Sequence, residues 1–203
     1  MLNIFFLFFL SFTEANAEFL PKSFISKFEQ EYVSSLKGKI KKGEGTIEYK
    51  FPSKIRFETS IPSRVVYVSN GEKAWYYRAP FIEGEAGEVS EFKKNEASAM
   101  YIKLFDSLKN GLKSNAHYTI KKINETEFQL SFLEKFKKEL GINSSKLFFN
   151  SAKKEMKFED LKKMELIFSN DKKSTLIFVE IKSNVEILPN RFEFVAPKNT
   201  NKI

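Results

Sequence analysis

The segment VVYVSNGEKAWYY, residues 65–77, carries the clearest local signal in the chain. Asn70-Gly71 separates two apolar runs, and this dipeptide favours a two-residue hairpin turn because both turn positions need a positive φ. A turn there predicts three cross-strand pairs on one face: Val68 with Lys73, Val66 with Trp75, and Arg64 with Tyr77. Both faces of this hairpin are apolar, whereas one face of an antiparallel hairpin is usually solvated. The chain must therefore supply cover for two faces.

Alternation of apolar and polar side chains predicts strands on both sides of the hairpin. Upstream, the alternating stretches are GEGTIEYKFP (43–52) and KIRFETSIP (54–62). Downstream, six further strands are predicted at HYTIKKI (117–123), EFQLSFLE (127–134), KLFFN (146–150), ELIFSND (165–171), STLIFVEIK (174–182) and NRFEFVAP (190–197). The chain is therefore rich in strands.

Two stretches have helical spacing instead. Residues 20–36, LPKSFISKFEQEYVSSL, repeat apolar side chains every three or four positions and have Pro21 where a first helical turn accepts it. Residues 97–112 carry a second apolar stripe, formed by Met100, Tyr101, Leu104, Leu108 and Leu112 with Phe105 beside it. Residues 79–96 are predicted to be a loop because they hold Pro80, two glycines and several glutamates. Residues 134–146 are polar, and their pattern does not decide which secondary structure they form.

This order predicts a mainly β (α+β) fold: an open, strongly curved antiparallel β-barrel whose helices cover the concave apolar face. In this fold the outer face of the hairpin is interpreted as a local apolar patch. No linker or internal repeat divides the chain, so we expect a single domain over residues 18–203.

The first 17 residues are predicted to be a cleaved secretory signal peptide. An apolar run from Ile4 to Phe12 precedes Ala15-Asn16-Ala17, which matches an A-x-A cleavage site, although the run has no Lys or Arg before it. It is too short to span a bilayer as a helix. The chain has no cysteine, which excludes disulfides, thiol catalysis, thiolate metal sites and an N-terminal lipid anchor on cysteine.

Charge and motifs argue against several classes of function. The net charge is +8, and its lysines are scattered in short groups, which is typical of solvated faces and turns. The alternative is a basic surface for an acidic partner or for anionic lipid headgroups. No nucleic-acid motif, nucleophile motif, phosphate loop or zinc spacing occurs, and the single histidine, His117, lacks partners at a useful spacing. We therefore expect no enzyme, catalytic residue, metal or cofactor.

Several segments resemble the periplasmic outer-membrane lipoprotein carrier family (LolA). The matching pieces are GEGTIEYKFP, KIRFET with the nearby Pro62, and VVYVSNGEKAWYYRAPF, in which Asn70 stands where the family usually has Asp. The opening FISKFEQEYVSSLKGKIKKGEG and the closing FEFVAPKNTNKI are also similar to the family's ends. The middle of the chain matches only in the order of its elements.

The resemblance implies a soluble periplasmic carrier, which we expect to be a monomer. Such carriers take acylated lipoproteins from an inner-membrane lipoprotein-releasing transporter, shield the acyl chains, and pass them to an outer-membrane receptor. The implied fold is an open barrel with a hydrophobic cavity under a helical lid. An alternative on the same fold is a periplasmic module that binds or senses free lipid or glycolipid.

The implied cavity and lid can be assigned to particular residues. The predicted cavity lining is Ile47, Tyr49, Phe51, Ile55, Phe57, Ile61, Val66, Trp75 and Tyr77, and the sequence leaves open which face of the hairpin turns inward. The predicted lid contacts are Phe24 and Phe28 from the first helix, with Met100, Leu104, Phe105 and Leu108 from the second. Ordinary core packing is the competing interpretation for each of them.

One position departs from the family pattern. Family members often carry an arginine directly before the proline of the first strand, where it latches the lid in the closed form. Phe51 occupies that position here, and Lys50 is predicted to face the other way. The resemblance therefore implies either a lid held by other contacts or a divergent carrier with another lipid cargo.

Overall fold

The computed structural model describes residues 19–33, 39–93 and 100–203. The strands are β1 (Ser23–Val33), β2 (Ile40–Lys50), β3 (Lys54–Ile61), β4 (Val65–Asn70), β5 (Lys73–Arg78), β6 (Gly87–Lys93), β7 (Tyr118–Lys122), β8 (Glu127–Phe132), β9 (Ile142–Phe149), β10 (Leu161–Phe168), β11 (Lys173–Ser183) and β12 (Thr200–Lys202). The helices are α1 (Met100–Ser107) and α2 (Glu134–Leu140), with 3₁₀ turns at Leu108–Asn110, Phe158–Asp160 and Pro189–Phe192. The predicted signal peptide lies outside the described residues.

The strands form one open sheet. Their order is β12-β6-β5-β4-β3-β2-β1-β11-β10-β9-β8-β7, and the two edge strands, β12 and β7, are not paired with each other. Neighbouring strands are antiparallel except for β12, which runs parallel to β6. The pairing of β1 with β11 joins the two halves of the chain at the centre of the sheet. The prediction of a mainly β protein with an open sheet is confirmed.

Strand β1 replaces the first predicted helix, so that prediction is wrong. Phe24 and Phe28 are four residues apart, a spacing that one face of a helix and one face of a strand both allow. On the same strand face, Ser26 lies between them and Gln30 follows Phe28, and these polar side chains conceal the period of two. Pairing with β2 on one side and β11 on the other decides in favour of the strand.

A glycine explains how β1, β2 and β3 pack together. Phe28 pairs with Gly45, and its ring lies over that glycine and against Phe57, with the ring centroids 4.7 Å apart. A Cβ at Gly45 would lie 2.7 Å from the Phe28 ring and 2.1 Å from the backbone oxygen of Glu58. The second glycine of the G-x-G pattern is therefore required by close packing.

The hairpin forms where the sequence predicts it, but with another register. Val68 pairs with Trp75 and Val66 with Tyr77, a shift of two residues from the predicted pairs. The turn therefore centres on Gly71 and Glu72, with Gly71 at a φ of 92°. Asn70 stays at the end of β4, and its side-chain oxygen accepts hydrogen bonds from the backbone N–H groups of Glu72 and Lys73, both at 2.8 Å. This side-chain cap, and not a left-handed Asn70, sets the turn.

The C-terminal segment, residues 189–202, covers the outer face of the hairpin. Val66, Val68, Tyr77 and Val89 form a small separate core on that face, against which Phe194 and Ala196 pack. The predicted strand at 190–197 is thus wrong: an extended segment that lies flat on a sheet shows the same alternation as a strand within one. The outer face is not a bare apolar patch.

Three further elements differ from or complete the predictions. The predicted loop 79–96 contains β6, whose glutamates form the solvated positions of an ordinary strand. The undecided stretch 134–146 forms α2 and the start of β9. The second predicted helix is confirmed over Met100–Ser107, followed by a 3₁₀ turn; residues 97–99 lie outside the described part of the chain.

Replacing Gly45 tests the close packing of β1 on β2. We expect Gly45→Ala to lower the free energy of unfolding by roughly 1–3 kcal/mol, because the added methyl group must displace the Phe28 ring and the β3 backbone. Urea titration followed by Trp75 fluorescence measures the change. The control is Thr46→Ala at the next, exposed position; an equal effect of both variants would contradict the packing argument.

Candidate functional site

The inner face of the sheet, defined as the face that carries Phe24, Phe28 and Tyr49, supports one large apolar core. Its buried members come from β1–β3, β7–β11 and both helices, with Phe19, Leu20 and Phe158 joining from the connecting segments. Phe24 stacks on Tyr49 at 5.2 Å between ring centroids and meets Phe158 at 4.8 Å. Aromatic side chains therefore dominate the surface on which α1 rests.

Helix α1 packs on this face through its apolar side chains. Leu104, Phe105 and Leu108 are each 0% exposed. The Phe105 ring contacts Phe24 at 5.3 Å, and the Tyr101 ring stacks on Phe57 at 4.7 Å between centroids, with an interplanar angle of 9°. The helix thus covers the inner face of β1, β2 and β3.

The C-terminal end of α1 is tied to the sheet by a polar cluster. Tyr49 donates a short hydrogen bond from its hydroxyl group to the Asp106 carboxylate. Ser53, in the turn between β2 and β3, donates its hydroxyl at 3.1 Å and its backbone N–H at 3.3 Å to the same carboxylate. Close by, the Lys109 ammonium group lies 4.4 Å from the centre of the Phe51 ring.

The N-terminal end of α1 has a second, weaker polar contact. Gln30 on β1 donates its side-chain amide to the Tyr101 hydroxyl at 3.4 Å and to the Ser174 hydroxyl at 3.0 Å. Within the described residues, α1 is joined to the sheet by side chains and by no backbone–backbone hydrogen bond. Contacts of this kind can be broken without opening the sheet.

Burial perturbs both tyrosines of these clusters. It raises the pKa of Tyr49 far above its ordinary value, and the neighbouring Asp106 charge and hydrogen bond add to the effect. Burial also raises the pKa of Tyr101 to about 12, while hydrogen bonds with Ser174 and Gln30 oppose the shift. Both hydroxyl groups therefore keep their protons throughout the neutral range.

The structure brings most of the predicted site residues together. Ile47, Tyr49, Ile55 and Phe57 are buried on the inner face, Phe51 packs against them, and Phe24 and Phe28 lie beside them on β1 instead of on a helix. Among the predicted lid residues, Leu104, Phe105 and Leu108 are buried and Met100 packs against the same core. These residues form one contiguous apolar surface.

Four predicted lining residues lie elsewhere. Val66, Trp75 and Tyr77 are on the outer face of the hairpin, under the C-terminal segment, so their assignment to the inner lining is wrong. Tyr67, between Val66 and Val68, is the hairpin residue that packs on the inner core. Ile61 is 49% exposed and lies at the rim, in a cleft of about 280 Å³ that Gln30, Phe57, Tyr101 and Val65 also line.

The polar residues of the site were not identified from the sequence. Asp106 lies beside the apolar stripe of α1, and Gln30 occupies an inward position of β1, so each breaks the pattern of its own element. Their partners are distant in sequence, which is why the pattern alone gave no reason to select them. The single histidine stacks on Phe136 at 4.5 Å between ring centroids, as a packing residue would.

Two negative findings apply to the described ranges 19–33, 39–93 and 100–203. No helix there has the length and apolar character needed to cross a membrane. No group of three or more His, Asp or Glu side chains in those ranges is arranged to hold a metal ion.

Comparison with known sequences decides the family. Residues 21–195 match the family described as "Outer membrane lipoprotein carrier protein LolA". The chain belongs to the LolA family. An outer-membrane lipoprotein carrier protein of Vibrio parahaemolyticus is 39% identical over 79 residues, which are 39% of this chain and 36% of that protein. The chain thus spans about a third of that relative's length in the match.

Two further similarities extend along most of the chain. An outer-membrane lipoprotein carrier protein of Francisella tularensis is 25% identical over 199 residues, covering 96% of this chain and 90% of that protein. A crystal structure of a LolA superfamily protein from Nitrosomonas europaea covers 87% of this chain and 92% of its own, at 8% identity and a TM-score of 0.47.

A double-mutant cycle tests the tie between α1 and the sheet. We expect Asp106→Ala and Tyr49→Phe to be coupled by roughly 1.5–3 kcal/mol in the free energy of unfolding, since a buried hydroxyl group donates to a carboxylate. The control cycle is Lys103→Ala with Glu139→Ala, a partly exposed ion pair at 3.2 Å for which we expect at most about 1 kcal/mol. Equal coupling in the two cycles would mean that the buried cluster does not hold the helix.

The raised pKa of Tyr101 predicts that the protein loses stability at alkaline pH. Folding raises the pKa of Tyr101 from 10.0 to about 12, so the unfolded chain loses this proton at a lower pH than the folded protein does. The contribution of this group to stability is therefore fully present below about pH 10 and falls between about pH 10 and about pH 12. Urea midpoints across this range measure the loss. We expect Tyr101→Phe to make the slope shallower without removing it, because the raised pKa of Tyr49 contributes to the same loss. A slope that Tyr101→Phe leaves unchanged would contradict the shift.

Proposed function

We propose that this protein is a periplasmic carrier that shields the acyl chains of lipid-modified proteins between the inner and the outer membrane. The proposal includes release from an inner-membrane transporter and delivery to an outer-membrane receptor. Membership of the LolA family supports the carrier role, and the names of the relatives from Vibrio and Francisella agree with it. The proposal also includes the removal of residues 1–17 on export, which leaves residues 18–203 as the carrier domain.

The observation that carries the proposal is the cover that α1 provides. Beneath the helix lie the aromatic residues Phe24, Tyr49 and Phe57, and the helix rests on them through side chains alone. Displacement of α1 would therefore expose a continuous apolar surface without breaking any strand pairing. Acyl chains suit such a surface, because each buried methylene contributes about 0.8 kcal/mol.

In this proposal, the sheet curves around the acyl chains and α1 acts as the lid. Contacts of α1 support the curvature. Tyr101 stacks on Phe57 of β3, and the backbone oxygen of Ser107 accepts a hydrogen bond from the Tyr118 hydroxyl of β7 at 3.4 Å. These strands stand seven positions apart in the sheet, about 34 Å if it were flat, whereas an eight-residue helix is only about 12 Å long. The polar clusters at Asp106 and Gln30 then hold the lid closed when no cargo is present.

A reversible cross-link tests the moving lid. The chain has no cysteine, so the pair Ser53→Cys and Asp106→Cys introduces the only thiols, at positions whose native side chains touch at 3.1 Å. After incubation with spheroplasts, we expect the wild-type protein to bring lipoproteins into the soluble fraction. The oxidised double variant should release none, and reduction should restore release.

Each arm of this experiment can contradict the proposal. The control is the Ser53→Cys single variant, which cannot cross-link within the chain and should release cargo under both redox conditions. Equal release by the oxidised and the reduced double variant would exclude a moving α1. A soluble fraction without lipoproteins, together with free lipid or glycolipid on the extracted protein by mass spectrometry, would favour the sensing module instead.

A further inference from the structure

A small group of polar side chains interrupts the apolar inner face. The Gln30 amide donates to the Ser174 hydroxyl at 3.0 Å and to Tyr101 at 3.4 Å. Ser174 is only 3% exposed. Gln30 and Ser174 belong to the sheet, whereas Tyr101 belongs to α1, so one of the three groups departs whenever the helix does.

A second hydroxyl on the same face has no partner at all. Ser174 pairs across the sheet with Leu166, and Leu166 pairs with Ser145, which puts the two serines in one row, about 10 Å apart. Ser145 is 0% exposed, and its hydroxyl oxygen makes no hydrogen bond within the described residues. Both of its cross-strand neighbours, Leu130 and Leu166, are core residues, so the hydroxyl faces the inner core.

Buried polar groups in an apolar lining are costly unless something satisfies them. A hydroxyl or amide without a partner destabilises a buried site, because it has lost its hydrogen bonds to water. When α1 leaves, Gln30 and Ser174 lose Tyr101, and a ligand that extends two strands along the same row would meet Ser145. Gln30 and Ser174 remain paired with each other, but a ligand made of hydrocarbon alone would leave the donors that faced Tyr101 and the Ser145 hydroxyl without partners. The site therefore favours a ligand that carries hydrogen-bond acceptors within an apolar body.

We infer that Gln30, Ser174 and Ser145 form a subsite for the carbonyl oxygens of acyl groups. The inference rests on the proposed carrier function and adds the part of the lipid that is recognised. Each of the three side chains can donate a hydrogen bond, and a carbonyl oxygen accepts one or two. Both the ester carbonyls of O-linked chains and the amide carbonyl of an N-linked chain have this chemistry.

The position of the subsite agrees with the way an acyl chain would lie. Gln30 and Tyr101 line the cleft at the rim, where Ile61 is exposed and the inner face meets solvent. From Gln30 the inner face runs six residues along β1 to Phe24, roughly 20 Å, and is aromatic at its far end. The carbonyl end of a chain would thus remain near the rim while its methyl end reaches the aromatic cluster.

Synthetic lipopeptides that differ in their carbonyl groups test the inference. The three probes are a diester lipopeptide with a free amine, the diether of equal chain length with a free amine, and that diether with an acetylated amine. We expect the wild-type protein to bind the diester about three- to tenfold more tightly than the free-amine diether, as one hydrogen bond allows. If the amide is the recognised carbonyl, the acetylated diether shows this gain over the free-amine diether and loses it in Gln30→Met, whereas a gain caused by the lost amine charge persists in that variant.

Three variants separate recognition from stability. In Gln30→Met the preference for the carbonyl probe should fall to about onefold, while Gln129→Met, the same change at a partly exposed position of β8, should keep it. Ser145→Ala should weaken the preference without lowering the urea midpoint, because its hydroxyl has no partner in the closed form. A preference that Ser145→Ala leaves intact would exclude that residue from the subsite.

The outcomes for the subsite and for the carrier function are distinct. Equal binding of all three lipopeptides by the wild-type protein would overturn the carbonyl subsite and leave the carrier function standing. Failure to bind any of them, in a protein with an unchanged urea midpoint, would overturn both.

Discussion

The inner face of the sheet has to be covered at all times, and this constraint shapes the rest of the molecule. Helix α1 and the 3₁₀ turn after it provide the cover through Leu104, Phe105 and Leu108, and each fully buried side chain of this kind contributes about 1.5–3 kcal/mol. The three together contribute about 5–9 kcal/mol. At about 0.8 kcal/mol for each methylene, between about six and eleven methylenes offset that burial. In the proposed carrier, a single long acyl chain is therefore sufficient to offset the burial of these three side chains.

The two apolar faces of the sheet are covered by different means, and the difference determines which cover can move. On the outer face, the C-terminal segment is fixed by the parallel pairing of β12 with β6 and by the forked ion pair of Arg191 with Glu48. The Phe194 ring contacts Tyr77 at 5.4 Å between those two anchors. On the inner face, α1 is held by side chains alone. The backbone pairing makes the outer cover part of the sheet, whereas no backbone–backbone hydrogen bond ties α1 to the sheet in the part of the chain that the structure describes.

The sequence was informative where one side-chain period dominated and misleading where two structures share a period. Alternation located β2 to β5 and most strands after α1, and the stripe around Leu104 located the lid helix. Phe24 and Phe28 fit both a helix and a strand, and their true neighbours, Ser26 and Gln30, are polar. The hairpin was located by Asn70-Gly71, but its register depended on the hydrogen bonds of the Asn70 side chain, which composition does not reveal.

The residues of the candidate site likewise divide into those that alternation assigns and those that it does not. The inward apolar residues of β2 and β3 follow from alternation, because the strand period assigns each of them to one face. Alternation does not show which face of the hairpin turns toward the inner core, since both faces are apolar and only the C-terminal segment distinguishes them. The polar contacts of Asp106 and Gln30 are equally hidden, because each depends on partners more than fifty positions away in the chain.

Phe51 occupies the position where family members often carry an arginine, and it bears on which side of the α1–sheet contact holds the charged groups. An arginine there would leave a full charge on the sheet whenever the lid opened. Here the charged partners, Asp106 and Lys109, are on the helical side, and the sheet offers the Tyr49 and Ser53 hydroxyl groups and an aromatic ring. An uncompensated charge is far more costly to bury beside hydrocarbon than a hydroxyl group or an amide. In the proposed carrier these charges leave with the helix, so the surface that remains can accept an acyl chain and still offer weak donors to its carbonyl.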